Sequence, residues 1–251
     1  MAPPVETREV FSAGRAEDAR AGVTVAVSLY NYEEFIGECL DSIYAQTYEA
    51  IDLIVLDDAS PRDRSLEAAA EWMKKKRERF RRCLLLRHTE NQGLAQARNT
   101  AFAHAACDNV LVMDADNVVF PTAVARLQAA LCSSDAAAAY SQLKFFGDEE
   151  GLGLADFWSK DKLAKGNYID AMALVRRTAW ATVGGVSHLE GGWEDYDFWC
   201  KFVDHGLEAL YVPQILCGYR VHGSSMLRTE TNLATERLKN RMVMRHPWLD
   251  L

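Results

Sequence analysis

Four short apolar runs recur along the first half of the chain: V-T-V-A-V-S-L at 23–29, I-D-L-I-V-L at 51–56, C-L-L-L at 83–86 and V-L-V-M at 110–113. Runs of this length, bounded by polar residues, read as buried strands. Stretches of helical period lie between them. From Glu33, residues Phe35, Ile36, Cys39, Leu40, Ile43 and Tyr44 recur on one face. Glu33 and Glu34 occupy the first turn, where the helix dipole favours them. Further helices are expected over about 65–80 and 94–106. The alternation predicts an α/β fold: a mostly parallel central sheet of Rossmann-like type with helices on both faces. Right-handed crossovers set the C-terminal ends of successive strands along one edge, where open sheets bind ligands. Those ends carry Tyr30 and Asn31, Asp57 and Asp58, His88 and Asn91, then Asp114 and Asp116.

The last of these, M-D-A-D at 113–116, sets two carboxylates one residue apart. In extended chain they project to the same side. Paired carboxylates repel unless a cation neutralises them, and Mg²⁺ or Mn²⁺ with oxygen ligands does so. Taken alone, the same residues also describe an acidic turn after a core strand. Neither G-x-x-x-x-G-K-[ST] nor G-x-G-x-x-G occurs, which disfavours a P-loop NTPase and a conventional dinucleotide dehydrogenase.

Pro121 opens an Ala-rich helix to about Leu131, and 136–143 reads as a strand. Residues 145–168 are rich in loops and aromatics, with Trp158 and Tyr168 among them. A strand over 170–175 and a short helix over 177–183 follow, ended by Gly184 and Gly185. Trp193, Glu194 and Asp195 then lead into an aromatic helix ending near Gly206. Phe198, Trp199 and Phe202 share a face with Asp195, so that carboxylate is desolvated and strengthened as a base. Acidic residues also simply favour helix starts. After a strand at 208–212, His222 is either a ligand or a polar residue satisfied by backbone.

The net charge of −8 argues against a general nucleic-acid binder. No apolar run reaches the ~20 residues of a membrane span, and residues 1–5 lack a signal pattern. The basic run Lys74–Arg82 could touch an anionic membrane surface, although such runs are more often a solvated helix end. Six scattered cysteines without C-x-x-C read as reduced core residues of a cytoplasmic protein. Residues 1–21 show no clear period and are expected to be a poorly ordered lead-in.

Together these pieces resemble the inverting glycosyltransferases of family 2, which have the GT-A fold. The matching segments are 23–48, D-L-I-V-L-D-D-A-S at 52–60, N-Q-G-L-A-Q-A-R-N at 91–99, M-D-A-D at 113–116, G-W-E-D-Y-D-F-W at 192–199 and Y-R-V-H-G-S-S-M at 219–226. The resemblance implies transfer of a sugar from a nucleoside-diphosphate-sugar, UDP-linked, to a carbohydrate or other hydroxyl acceptor, assisted by a divalent metal. It implies nucleotide-sugar contacts from Ser28, Tyr30, Asn31, Asp57, Asp58, Asn91, Arg98 and Asp114. Metal ligands are implied at Asp116, Asp114 and His222, and the catalytic base at Asp195 with Glu194 beside it. Trp193, Trp158 and Tyr168 are expected to hold the acceptor, since sugar faces pack on aromatic rings. The organisation expected is a GT-A domain over 22–226, with a donor half to about 120 and an acceptor half from 121. A C-terminal helical segment over 227–251 would act as a lid carrying His222. Ser28-Leu29 and Ala59 depart mildly from the family pattern, which blurs donor details. The rival readings are a non-catalytic nucleotide-sugar-binding scaffold and a sugar nucleotidyltransferase.

Overall fold

The computed structural model describes residues 5–15, 22–223 and 232–251. In chain order its elements are β1 (Thr7–Gly14), β2 (Val23–Leu29), α1 (Glu33–Tyr44), β3 (Ile51–Asp57), α2 (Ser65–Lys76), β4 (Arg82–His88), α3 (Leu94–His104), β5 (Asn109–Asp114) and β6 (Val118–Val119). There follow α4 (Ala123–Cys132), β7 (Ala138–Gly147), β8 (Gly151–Leu152), α5 (Lys160–Leu163), β9 (Ala173–Arg176), α6 (Arg177–Thr182), α7 (Glu194–Asp204), β10 (Ala209–Val221) and α8 (Asn232–Arg245).

The strands join one sheet in the order β1-β4-β3-β2-β5-β9-β7-β10-β6, with β8 on β7. Strands β4, β3, β2 and β5 are parallel, so their C-terminal ends share one edge as the sequence pattern predicts. Every residue of β2 and β3 is buried, because helices cover both faces of the sheet. One core lies beneath α3, α6 and α7, the other beneath α1, α2 and α4.

Three expectations are corrected. The segment expected to be a lead-in contains β1, which pairs antiparallel with β4 along the sheet edge. Its irregular burial pattern hides it from a period count, and pairing with β4 supplies the order. The strand expected at 208–212 continues to Val221, through irregular pairing beside Pro213, which has no N–H to donate. Past that irregularity β10 still follows β7 and then meets β6, carrying the chain up to the M-D-A-D turn. Gly218 permits the approach, since a Cβ there would stand 2.7 Å from Val118 Cγ2. Of the six cysteines, Cys132 is exposed at the end of α4, while the other five are buried thiols.

Among the described residues no helix is long and apolar enough to cross a membrane. Arg79, in the basic run, donates to the carbonyls of Tyr44, Gln46, Tyr48 and Glu49, so it caps the α1 exit.

Candidate functional site

Asp114 ends β5, and the chain turns at Ala115 and Asp116. The two carboxylates therefore diverge instead of projecting together as an extended chain would have them. Arg98, buried on α3, sets Nη2 2.9 Å from Asp114 Oδ1 and 3.0 Å from Oδ2. Asp116 turns toward His222, whose Nε2 lies 3.0 Å from Oδ2. Burial pushes the Asp116 carboxyl up, the Asp114 charge adds to this, and His222 opposes it. The turn is braced from below. Asn117 Oδ1 accepts from the Arg220 backbone amide, and Arg220 Nε donates to the Asp116 carbonyl. The Arg220 guanidinium lies between the rings of Phe35 and Phe146, 4.8 and 4.4 Å from their centroids.

His222 meets the rings of Tyr32 and Phe35 at centroid distances of 5.7 and 4.8 Å. Burial together with the charges of Asp116 and Asp114 pushes the Tyr32 phenol far up. Neither aromatic is singled out as functional by the sequence, where Phe35 reads as part of the apolar face of α1 and Tyr32 lies just before that helix.

Asp116 Oδ1 is buried with no hydrogen-bond partner. An orphaned carboxylate oxygen beside an imidazole is a donor set suited to a divalent ion. Among the described residues no three His, Cys, Asp or Glu side chains converge as a complete cage. A bound ion would therefore draw its remaining ligands from water or a ligand's phosphate oxygens.

At the ends of β2 and β3 the predicted nucleotide contacts are built into the framework. Asp58 accepts from the amides of Gln92 at 2.9 Å and Gly93 at 2.8 Å, and from Asn91 Nδ2 at 3.0 Å. Its Oδ1 also lies 2.6 Å from His88 Nδ1, and His88 reaches Thr100 through its other nitrogen. Asp58 and Asn91 thus shape the loop before α3. Asp57 takes a hydrogen bond from Ser60 Oγ at 2.5 Å, and burial raises its carboxyl against that bond. The Asn31 amide donates to Ser60 Oγ at 3.0 Å in a left-handed turn, φ 55°. Tyr30 is exposed and Ser28 is buried on β2.

The second acidic centre opens α7. Asp195 is half-buried; Asn167 Nδ2 donates to its Oδ2 at 2.9 Å, and the Tyr196 amide to its Oδ1 at 2.8 Å. Burial raises the Asp195 carboxyl, with Arg98 and these donors opposing. Adjacent residues stand about 100° apart around a helix. The structure nevertheless has both lining one small cavity with Arg98, Phe198 and Trp199. Trp193, the residue just before the helix, is left-handed, φ 66°. Glu194 is 4% exposed and burial lifts its carboxyl to about 7.

Asp170, read in the sequence only as a strand start, belongs to this group. Burial lifts it to about 7, the Met172 amide opposes, and the charges of Asp195 and Asp114 add to the rise. The missed signal is tertiary: Asp170 lies three residues before β9, and because β9 runs antiparallel to β5, the chain entering β9 comes back toward the C-terminal end of β5. The aromatic candidates divide. Trp193 packs edge-on against Tyr196 at 5.8 Å. Trp158 lies against Trp199 and Phe202 of α7, and Tyr168 Oη accepts from the Ser159 amide and donates to the Phe157 carbonyl.

The segment expected as a lid is already docked: Leu238, Met242 and Leu249 are buried against the α7 side of the molecule. Residues 224–231, including the Ser224–Met226 end of the last motif, lie outside the described residues.

Comparison with known proteins follows the same lines. The family model described as "Glycosyl transferase family 2" matches residues 24–184. Glycosyltransferase GlyA of Streptococcus pneumoniae is 32% identical over 130 residues, covering 52% of this chain and 18% of that protein. Putative glycosyltransferase EpsE of Bacillus subtilis is 26% identical over 210 residues, covering 81% of this chain and 73% of its own. Among solved structures, S. aureus TarS with UDP-GlcNAc superposes with a TM-score of 0.68 at 16% identity, over 83% of this chain and 61% of TarS. Mannosyltransferase PcManGT of Pyrobaculum calidifontis, with GDP-Man and Mn2+, gives 0.62 at 23% identity, over 81% of this chain and 58% of that one. These likenesses establish the GT-A fold. The chain spans 18% of GlyA and 61% of TarS, so it corresponds to part of those proteins' length.

Proposed function

The chain belongs to glycosyl transferase family 2, and from that premise we propose that it moves one sugar, with inversion, from a UDP-linked donor to an acceptor hydroxyl. The observation that carries this reading is the pair of facing acidic centres. Asp116 with His222 stands on one side and Asp195 with Glu194 on the other, and Asp114 is paired to Arg98 between them.

In this reading the nucleotide lies over the ends of β2 and β3, against Ser28, Tyr30, Asn31 and Asp57, within the donor half 22–120. Asp58 and Asn91 hold the loop that borders it. Asp116 and His222 would hold a divalent ion, which would supply countercharge to the donor diphosphate; the Mn2+ in the PcManGT complex is consistent with this. Asp195 accepts the proton of the acceptor hydroxyl. The acceptor oxygen then bonds to the anomeric carbon from the face opposite the diphosphate, whose bond to that carbon breaks. Arg98 keeps Asp114 neutralised, so the negative charge of the site is not all presented to the anionic donor. Trp193, half-buried beside the opening, offers the acceptor half an apolar face. A cytoplasmic setting accords with the free thiols.

The test is nucleotide release from UDP-GlcNAc and from GDP-mannose, with Mn²⁺ or EDTA, in the presence and absence of sugar acceptors. Metal-dependent release of the nucleoside diphosphate supports a transferase. Binding without turnover favours the scaffold reading, and pyrophosphate formation from a nucleoside triphosphate favours the nucleotidyltransferase.

A further inference from the structure

Asp197 has no solvent exposure, yet it sits two residues from Asp195 in a helix whose other charged groups reach the surface or the site. Two residues are about 200° around a helix, so Asp197 faces away from the Asp195 carboxylate. A carboxylate buried there is stable only if paired. Its partners are Arg245 Nε at 2.5 Å and His246 Nε2 at 3.1 Å, both on Oδ1, and Lys201 Nζ at 3.3 Å from Oδ2. Two of the three partners come from the C-terminal segment. Hydrogen bonds from His246 and Arg245, with the charge of Lys201, outweigh burial and hold the Asp197 carboxyl well below the usual carboxylate range.

The same segment grips α7 and its approach at further points. His246 Nδ1 lies 2.5 Å from Asp204 Oδ2, and Trp248 Nε1 donates to Asp204 Oδ1 at 2.7 Å. Arg245 Nη2 donates to Ser187 Oγ at 2.9 Å, and Arg237 Nη2 to the Glu190 carbonyl at 3.3 Å. Gly191 touches α8 so closely that a Cβ would stand 2.7 Å from Ala234 Cβ, and its φ of +99° already favours glycine. The loop running into Glu194 and the back of α7 are thus fixed by one element, which lies beyond the family-model match at 24–184.

We propose that the segment 232–251 is a clamp that sets the position of the Glu194–Asp195 pair, with Arg245 and His246 as positioning residues acting through Asp197. The inference rests on the assignment of Asp195 as the base. The clamp grips the face of α7 opposite that base and stands away from the β2–β3 edge where the nucleotide lies. Loosening it shifts the carboxylates and leaves the nucleotide contacts in place. A displacement of about 1 Å at a reacting group can cost 10²-fold in rate.

The experiment compares Arg245→Gln, His246→Gln and Arg245→Lys with the unaltered full chain and with Asp195→Asn. Each is assayed for Mn²⁺-dependent hydrolysis of UDP-GlcNAc and GDP-mannose, for Kd of UDP and GDP by calorimetry, and for Tm. The clamp predicts a kcat tenfold or more lower per folded molecule in Arg245→Gln and His246→Gln, nucleotide Kd within twofold, and substantial recovery in Arg245→Lys. A lower Tm with kcat per folded molecule unchanged means the segment is merely structural and overturns the proposal. If Arg245→Gln fails to fold, His246→Gln and Arg245→Lys carry the same comparison. Should Asp195→Asn hydrolyse donor like the unaltered chain, the base assignment falls and the clamp's catalytic role falls with it. Loss in Asp195→Asn without loss in the clamp variants overturns the clamp alone.

Discussion

His222 Nε2 stands 3.0 Å from Asp116 Oδ2, joining the end of β10 to the turn after β5 across 106 positions of sequence. The contact leaves Asp116 Oδ1 buried and unpartnered. It gives the site an oxygen and an imidazole nitrogen side by side, with Tyr32 and Phe35 closing the far side.

Asp116→Ala should therefore abolish Mn²⁺-dependent tightening of UDP or GDP binding while far-UV circular dichroism and cooperative unfolding persist. His222→Ala should weaken the same metal-dependent increment. The check is calorimetry with Mn²⁺ and with EDTA, and an unchanged metal-dependent increment in Asp116→Ala removes this pair from the metal site.

Asp195→Asn preserves shape and the Asn167 contact region but removes the proton acceptor. General-base assistance is worth about 10²–10⁴-fold, so turnover should fall by that factor with nucleotide affinity nearly unchanged. Glu194→Gln is expected to lose activity more through acceptor KM. Near-normal turnover of Asp195→Asn at saturating acceptor would give the role of base to Glu194, which lines the same cavity.

Glu194 also predicts a pH dependence of stability. Burial lifts its carboxyl from 4.5 to about 7 in the fold. The folded state then holds a proton that the unfolded state has lost, so this stabilisation is full below about 4.5 and fades as pH rises through about 7. Glu194→Gln should raise Tm relative to the unaltered chain at pH 8 and do so less at pH 5, with a ceiling of about 3 kcal/mol. Asp197 runs the other way. Its partners hold it low, so its contribution is present at neutral pH and is lost as pH falls through the acid range. Equal Tm differences for Glu194→Gln at pH 5 and pH 8 would contradict the buried, protonatable state.

Asp58→Ala strips partners from the Gln92 and Gly93 amides, Asn91 and the fully buried His88. Each buried group left unsatisfied costs about 1–3 kcal/mol, so a loss of roughly 3 kcal/mol or more is expected. Urea unfolding with an unchanged m-value measures it. A loss below about 1 kcal/mol would mean that the loop does not depend on this carboxylate.

The sequence alone determined the sheet's central strands, their direction and the edge that holds the polar groups. Buried strands of a parallel sheet must be apolar along their length, and the chain must break into polar residues where each strand ends. That is a local property, so β2 to β5 and the helices between them are legible from residue spacing. Tertiary structure alone decided how the acidic groups divide. Asp114 and Asp116 share a strand end in the sequence, but a single turn sends one to Arg98 and the other to His222. Asp170 comes near the site only because β9, which it precedes, runs antiparallel to β5, and Glu194 and Asp195 share a cavity with Arg98 of α3. The edge strand β1 and the hold of Arg245 and His246 on Asp197 were equally invisible. Pairings between residues far apart in the chain leave no period in it. Their free energy arises only when burial removes water from both partners at once.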